Sequence, residues 1–287
     1  MSLVSRILRL SIIVSDMARL TAFYRDALGF SLIEASDAKI DGVPGRRVWM
    51  RLGGQTLELF APDRLGALYP VGSRATDAWF QHLAIVVTDM DAAYAHLKGY
   101  DITPISLGGP QHLPRSTGGV RAFKFRDPDG HPLELIAFPP DVGDPRWQSA
   151  PGDALFLGFD HSAVVVDDCE RSVAFYEGIG FSVVSRGVNY GPAQEHLDDA
   201  PDVLVDVVAL QPSAETTPHL ELLGYRNPAV RSLRQPRHPS DVAAARLVLS
   251  VSGLAQNNFD AARTRQDLWG LPHHDPDGHV LLFEPEG

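Results

Sequence analysis

One cysteine, Cys169, stands in a chain of 287 residues. A disulfide framework needs paired cysteines, so packing and hydrogen bonds must hold this fold. Positive charge is also scarce: 25 lysines and arginines face 36 aspartates and glutamates, a formal net charge of -11. Such a balance repels phosphate backbones and anionic headgroups, which argues against nucleic acid or anionic membrane as main partner. No apolar run reaches the roughly 18 residues of a membrane span. No basic segment leads into an apolar one as a secretory signal would. A cytoplasmic protein, monomeric or homodimeric, is the expectation. The 44% hydrophobic and 21% charged content is that of an ordinary globular chain, long enough for two sizeable cores.

What is present is repetition. Phe123–Phe138 reads FKFRDPDGHPLELIAF. Two alternating apolar runs flank Asp127-Pro-Asp-Gly130, in which Pro128 presets φ, the aspartates can bond nearby N–H groups and Gly130 tolerates positive φ. This predicts a β-hairpin whose second strand carries Glu134 among apolar neighbours. A carboxylate so placed is costly unless a cation or donors meet it. The hairpin returns at Asp275–Phe283, and its second strand alone at Gln55–Phe60 and Pro218–Leu223. Four copies of one strand signal an internal repeat.

Ahead of each copy lies a matching start. Residues Ile7–Val14 alternate as a strand, Asp16 caps a helix to about Leu28, and Gly29 ends it. Three strands follow, Phe30–Glu34, Arg47–Leu52 and Thr56–Phe60, giving a βαβββ unit. A second unit opens at Phe80–Asp89, with a helix over about Met90–Lys98. A third opens at Phe159–Asp168, with a helix over Cys169–Gly178, and a shortened fourth covers about Ala245–Glu284. Asp16 and Asp168, like Tyr24 and Tyr176, are 152 residues apart, so the second half repeats the first. Residues Pro139–Gly152, rich in Pro, Gly and Asp, read as the linker between halves 1–140 and 153–287. The Phe-Tyr pair on each helix reads as core packing, and Arg231–His238 as a solvated loop. Gly108–Gly119 is a long Gly/Pro-rich loop, suited to covering a cavity mouth.

Four βαβββ units, the Asp-to-Phe-Tyr helix and Asp-Pro-Asp-Gly-His-x-Leu-Glu-Leu together resemble the vicinal oxygen chelate superfamily of glyoxalase I, bleomycin and fosfomycin resistance proteins and extradiol dioxygenases. The resemblance implies an α+β fold, four βαβββ modules forming two glyoxalase-like curved-sheet halves. It also implies metal ligands on the first and last strands of each unit. Counting back seven residues from each helix-capping Asp gives Arg9, His82 and His161, and alignment puts Arg246 in the fourth unit. The last-strand positions are Glu58, Glu134, Glu221 and Leu282. Pairing neighbours as 1+2 leaves Glu58, His82 and Glu134 in one cavity. Pairing 2+3 collects His82, Glu134, His161 and Glu221 and leaves the other cavity without a metal set. The second arrangement is favoured, because random loss would seldom spare one complete pair. Two imidazoles and two carboxylates suit a borderline divalent ion, Ni, Co, Fe, Mn or Zn.

A single histidine on an apolar strand is usually a satisfied core residue. Two at equivalent positions, each matched by a glutamate, favour a metal. His131, His279, His273 and His274 follow or neighbour turn residues and are discounted as ligands. Lys124 and Arg126 share one strand face, expected to be solvated rather than to meet an anionic substrate. The resemblance implies a metal-dependent lyase or isomerase of glyoxalase type, acting through an enediolate on a small substrate with adjacent oxygens, with Glu134 or Glu221 as ligand and base. No compact basic cluster suits glutathione. The alternatives are an extradiol ring-cleaving dioxygenase using Fe(II), whose usual third-and-fourth-unit site is broken here by Arg246 and Leu282, and a metal-free small-molecule binding or resistance protein.

Overall fold

The computed structural model describes residues 4–148, 154–212, 216–231, 237–251 and 272–285. Residues 149–152 of the linker and 232–236 of the Arg231–His238 run lie outside the described residues. The first module is β1 (Val4–Ile13), α1 (Met17–Leu28), β2 (Ser31–Ile40), β3 (Val43–Leu52) and β4 (Gln55–Pro62). The second is β5 (Gln81–Val87), α2 (Met90–Leu97), two short strands β6 (Thr103–Pro104) and β7 (Gln111–His112), β8 (Arg121–Arg126) and β9 (Pro132–Ala137). A helical turn in the linker, α3 (Pro145–Gln148), leads to the third module. That module is β10 (Phe156–Val165), α4 (Cys169–Gly178), β11 (Ser182–Tyr190), α5 (Pro192–Asp198), β12 (Leu204–Gln211) and β13 (His219–Asn227). The fourth contributes β14 (Arg246–Val251), β15 (His273–His274) and β16 (Val280–Pro285).

Local chemistry sets the helix ends. The Asp16 and Asp168 side chains accept the N–H of Arg19 and Arg171, each at 3.0 Å, satisfying donors that a helix start leaves open. Gly29 closes α1 at φ 73°, where a side chain would be strained. The inward stripe of α1, Leu20, Phe23, Tyr24, Ala27 and Leu28, is buried, each large apolar member contributing roughly 1.5–3 kcal/mol.

Two sheets result, and they cross the halves of the chain. One runs β15-β16-β14-β1-β4-β3-β2, joining modules one and four. The other runs β11-β12-β13-β10-β5-β9-β8-β6, joining modules two and three. The junctions are antiparallel pairings of first strands, β1 with β14 and β5 with β10. Thus modules pair as 2+3 and 1+4. Packing follows the halves instead: one core joins Leu20, Tyr24 and Leu57 of module one to Leu83, Phe123 and Leu135 of module two. A second core unites Tyr176 and Leu222 with Leu247 and Phe283.

The repeated Asp-Pro-Asp-Gly-His turn is a clasp between modules of one half. Asp127 Oδ1 accepts the N–H groups of Asp129 and His131 at 2.9 Å, and its Oδ2 takes the Tyr24 hydroxyl at 3.0 Å and His131 Nδ1 at 2.8 Å. Asp275 repeats this with Asp277, His279 and Tyr176. The aromatic pair of each helix therefore serves the core, with a polar handle on the next module. His131 Nε2 faces the Val242 carbonyl and His279 Nε2 that of Val165, so neither is available as a ligand.

Candidate metal centre

Residues alternate faces along a strand, so the first-strand histidines and last-strand glutamates point to the same side of the sheet where their strands are neighbours. Parallel pairing of β5 with β9 brings His82 Nε2 to 2.9 Å from Glu134 Oε2. Parallel pairing of β10 with β13 brings His161 Nε2 to 3.4 Å from Glu221 Oε2. The β5–β10 junction joins the two pairs, with the His82 and His161 rings 5.5 Å apart. One ligand atom from each of His82, Glu134 and His161 lies within 4.8 Å of the others. Glu221 stands farther out, linked through His161 and through His219 Nε2 at 3.5 Å. The set floors a cavity of about 630 Å³, whose wall includes Leu113 and Ser116–Gly118 of the Gly-rich loop.

The residues fit a divalent ion. The buried His82 has no hydrogen-bond partner at Nδ1 among the described residues, and its Nε2 lies 2.9 Å from Glu134 Oε2. Buried polar atoms are normally satisfied, and an imidazole and a carboxylate aimed at one point are what a borderline cation needs. The charges agree. Burial, then the Lys124 ammonium, lowers the pKa of His82 and keeps it neutral. Burial also opposes charge on His161, but Glu221 and Asp160 overcome it and raise His161 to about 9. Glu221 is held at about 2 by His161 and His219 despite its burial, and Glu134 is likewise lowered, chiefly by Lys124 against the cost of burial.

Lys124 corrects the reading of its strand as a solvated face. It is 3% exposed, and its Nζ lies 2.7 Å from Asp198 Oδ1 and 3.9 Å from Glu134 Oε2. The cover comes from α5, a short helix after Gly191-Pro192 that the strand periodicity does not announce. Asp198 also accepts from Gln194 and Tyr225. Arg126 is half-buried and donates to the Gly130 and Ser73 carbonyls. His219 belongs to the site as well. It is two residues before Glu221 and so on the same strand face, a signal present in Pro218-His-Leu-Glu. Asp160, His161 and His219 form a second close trio, but both Asp160 oxygens are engaged by Trp147 Nε1 and His161 Nδ1.

In the other sheet the equivalent positions of module one, Arg9 and Glu58, form an ion pair. Arg9 meets Glu284 at 2.9 and 2.5 Å and Glu58 at 3.3 Å, while Trp49 Nε1 donates to Glu58 at 2.6 Å. Arg246 is fully buried and donates to the Pro239 carbonyl, and Leu282 is buried beside Val248. Guanidinium groups carry no lone pair for a metal.

Paired βαβββ modules thus line a cavity with histidine and glutamate, an arrangement of the glyoxalase fold class. Comparison with known proteins is consistent with that class. The family model of the Glyoxalase/Bleomycin resistance protein/Dioxygenase superfamily matches residues 6–135. The uncharacterized protein YaeR of Escherichia coli K12 is 34% identical over 131 residues, 44% of this chain and 91% of that protein. The lactoylglutathione lyase of Schizosaccharomyces pombe is 26% identical over 125 residues, 42% of this chain and 36% of that protein. Glyoxalase I from Zea mays superposes with a TM-score of 0.63 at 19% identity, over 97% of this chain and 91% of that one, a likeness of fold. The chain belongs to the glyoxalase/bleomycin resistance/dioxygenase superfamily, the vicinal oxygen chelate proteins.

Proposed function

We propose that the protein is a metal-dependent enzyme of glyoxalase type, a lyase or isomerase acting on a small substrate with two adjacent oxygens. Its halves, 1–140 and 153–287, are tandem copies that share one working site. The observation that carries this reading is the convergence of His82, Glu134 and His161 in the cavity, one ligand atom of each within 4.8 Å of the others. His82, Glu134, His161 and Glu221 would hold the ion. A bound divalent ion supplies Lewis acidity to the paired substrate oxygens. Glu221 is the outer carboxylate and faces the open cavity, so it takes the proton from the carbon beside the carbonyl. The same Glu221 carboxylate would return that proton to the neighbouring carbon, while Glu134, across the His pair, stays an ionised ligand. Lys124 supports Glu134, and its ion pair with Asp198 keeps its charge from being stranded in the cavity wall.

The trio His82, Glu134 and His161 by itself matches the two-histidine, one-carboxylate set of ferrous oxygenases, so ring cleavage is the second reading. Metal-stripped protein reloaded with Ni²⁺, Co²⁺, Mn²⁺, Zn²⁺ or Fe²⁺ separates them. One ion per chain and proton exchange or isomerisation of small hydroxycarbonyl and dicarbonyl compounds, lost in His82→Ala and Glu221→Gln, supports the proposal. A strict need for Fe²⁺ with oxygen uptake on catechols selects the second reading. Absence of stoichiometric metal in the reloaded protein refutes both.

A further inference from the structure

We propose that Asp160 is a positioning residue for this metal centre, holding Nδ1 of His161 so that Nε2 faces the ion, and that Trp147 of the linker holds Asp160 in turn. The inference rests on the metal-dependent reading above. Consecutive strand residues normally point to opposite faces, so Asp160 should turn its back on His161. A β-bulge changes that. Phe159 pairs with Ile85 and His161 with Ala84, which sets two residues of β10 against one step of β5 and leaves Asp160 as the extra residue. The bulge swings its carboxylate to 2.9 Å from the Nδ1 of its own neighbour. The second oxygen accepts Trp147 Nε1 at 3.0 Å. Asp160 is 6% exposed, so these bonds are shielded from water.

An imidazole that gives its Nδ1–H to a carboxylate is fixed in one tautomer and one ring orientation, with the Nε2 lone pair outward. The other three first strands lack this device. The residues preceding Arg9, His82 and Arg246 are Leu8, Gln81 and Ala245. β1 has the same bulge, between Ile7 and Arg9, with Leu8 in the extra place. The carboxylate therefore sits at the one bulge that carries a histidine. The linker is tied to the same wall: Asp144 accepts the Thr216 hydroxyl at 2.5 Å, just ahead of the strand that bears His219 and Glu221. Joining the two halves and orienting the metal ligand are thus tasks of one segment.

Full-length wild type, Asp160→Ala, Asp160→Asn and Trp147→Phe test this, with Zn²⁺ and Co²⁺ as probes. Asn keeps the shape of Asp but offers one acceptor oxygen for two donors, so it reports even if Ala perturbs the strand. The expected result is a roughly 10- to 100-fold loss of Zn²⁺ affinity in Asp160→Ala, a smaller loss in Asp160→Asn and Trp147→Phe, and an altered Co²⁺ absorption spectrum. The ¹⁵N signature of His161 in the Zn²⁺-loaded wild type should show the proton on Nδ1, and Asp160→Ala should lose it, a change that a merely structural role would not produce. Unchanged affinity and tautomer in both Asp160 variants overturns this inference alone. Failure of the wild type to take up either ion overturns it together with the metal-dependent reading.

Discussion

Lowering the pH sets protons against the metal at His161, and the size of the contest follows from the structure. The pair with Glu221 and the bond to Asp160 raise His161 to about 9 in the metal-free protein. At pH 7 a pKa of that size leaves about 1 in 100 molecules with a neutral ring, a burden of about 2.7 kcal/mol on metal binding. The apparent Zn²⁺ association constant should therefore rise about tenfold per pH unit between roughly pH 6.5 and 8.5. About one proton should be released per ion at pH 7. Stability of the metal-free fold moves oppositely. The folded value lies above the ordinary 6.5, so the contribution of His161 is complete below about 6.5 and is lost as pH rises through about 9. Calorimetric titration in buffers of different ionisation enthalpy measures the proton count, and thermal melts of metal-free protein give the second arm. An association constant that changes less than threefold over two pH units, with no proton release, refutes the assignment of His161 to both the ion and the acid pair.

Glu58→Ala should leave metal stoichiometry unchanged, since Glu58 lies in the other sheet, yet destabilise the fold by about 1–3 kcal/mol by leaving Trp49 Nε1 without its acceptor, while Arg9 keeps Glu284. Metal analysis and urea unfolding test this, and loss of the ion would contradict the separation of the two sheets. Tyr24→Phe and Tyr176→Phe each remove a donor from a buried aspartate and should cost about 1–3 kcal/mol apiece, read as a lower urea midpoint with metal affinity retained. Gly53→Ala should destabilise by roughly 1–3 kcal/mol, because φ is 57° and the added carbon would lie 2.2 Å from the Leu157 carbonyl oxygen. A melting temperature equal to wild type would show that the β3–β4 turn can shift away from β10.

The fold was readable because its signals are local and repeated. Asp16, Asp89 and Asp168 each cap a helix, and seven residues before them lie Arg9 and the two cavity-lining residues His82 and His161. Strand ends were less legible: β2 continues to Ile40, six residues past the expected end, as its exposed edge pattern carries little apolar alternation. Lys124 shows a different failure. Its alternation with Phe123 and Phe125 assigns it to a face, but only α5 decides whether that face is wet. Asp160 was hidden for the same kind of reason, since a bulge breaks the alternation from which side-chain direction is read.

By itself the sequence determined the unit, its fourfold repetition, the family, and which modules still carry a histidine and a glutamate. Those facts live in spacing and residue type, which are properties of neighbours along the chain. It could favour but not decide how modules pair, because a first strand can join any other first strand with equal backbone chemistry. Tertiary structure decided that. Helices and Asp-Pro-Asp-Gly turns pack within each half, Tyr24 on Asp127 and Tyr176 on Asp275. This turns the open strand edges outward, to meet only across the halves, β5 with β10 and β1 with β14. His82 and His161 line one cavity for that reason, while Arg9 meets Glu58 and Glu284 and Arg246 donates to the Pro239 carbonyl.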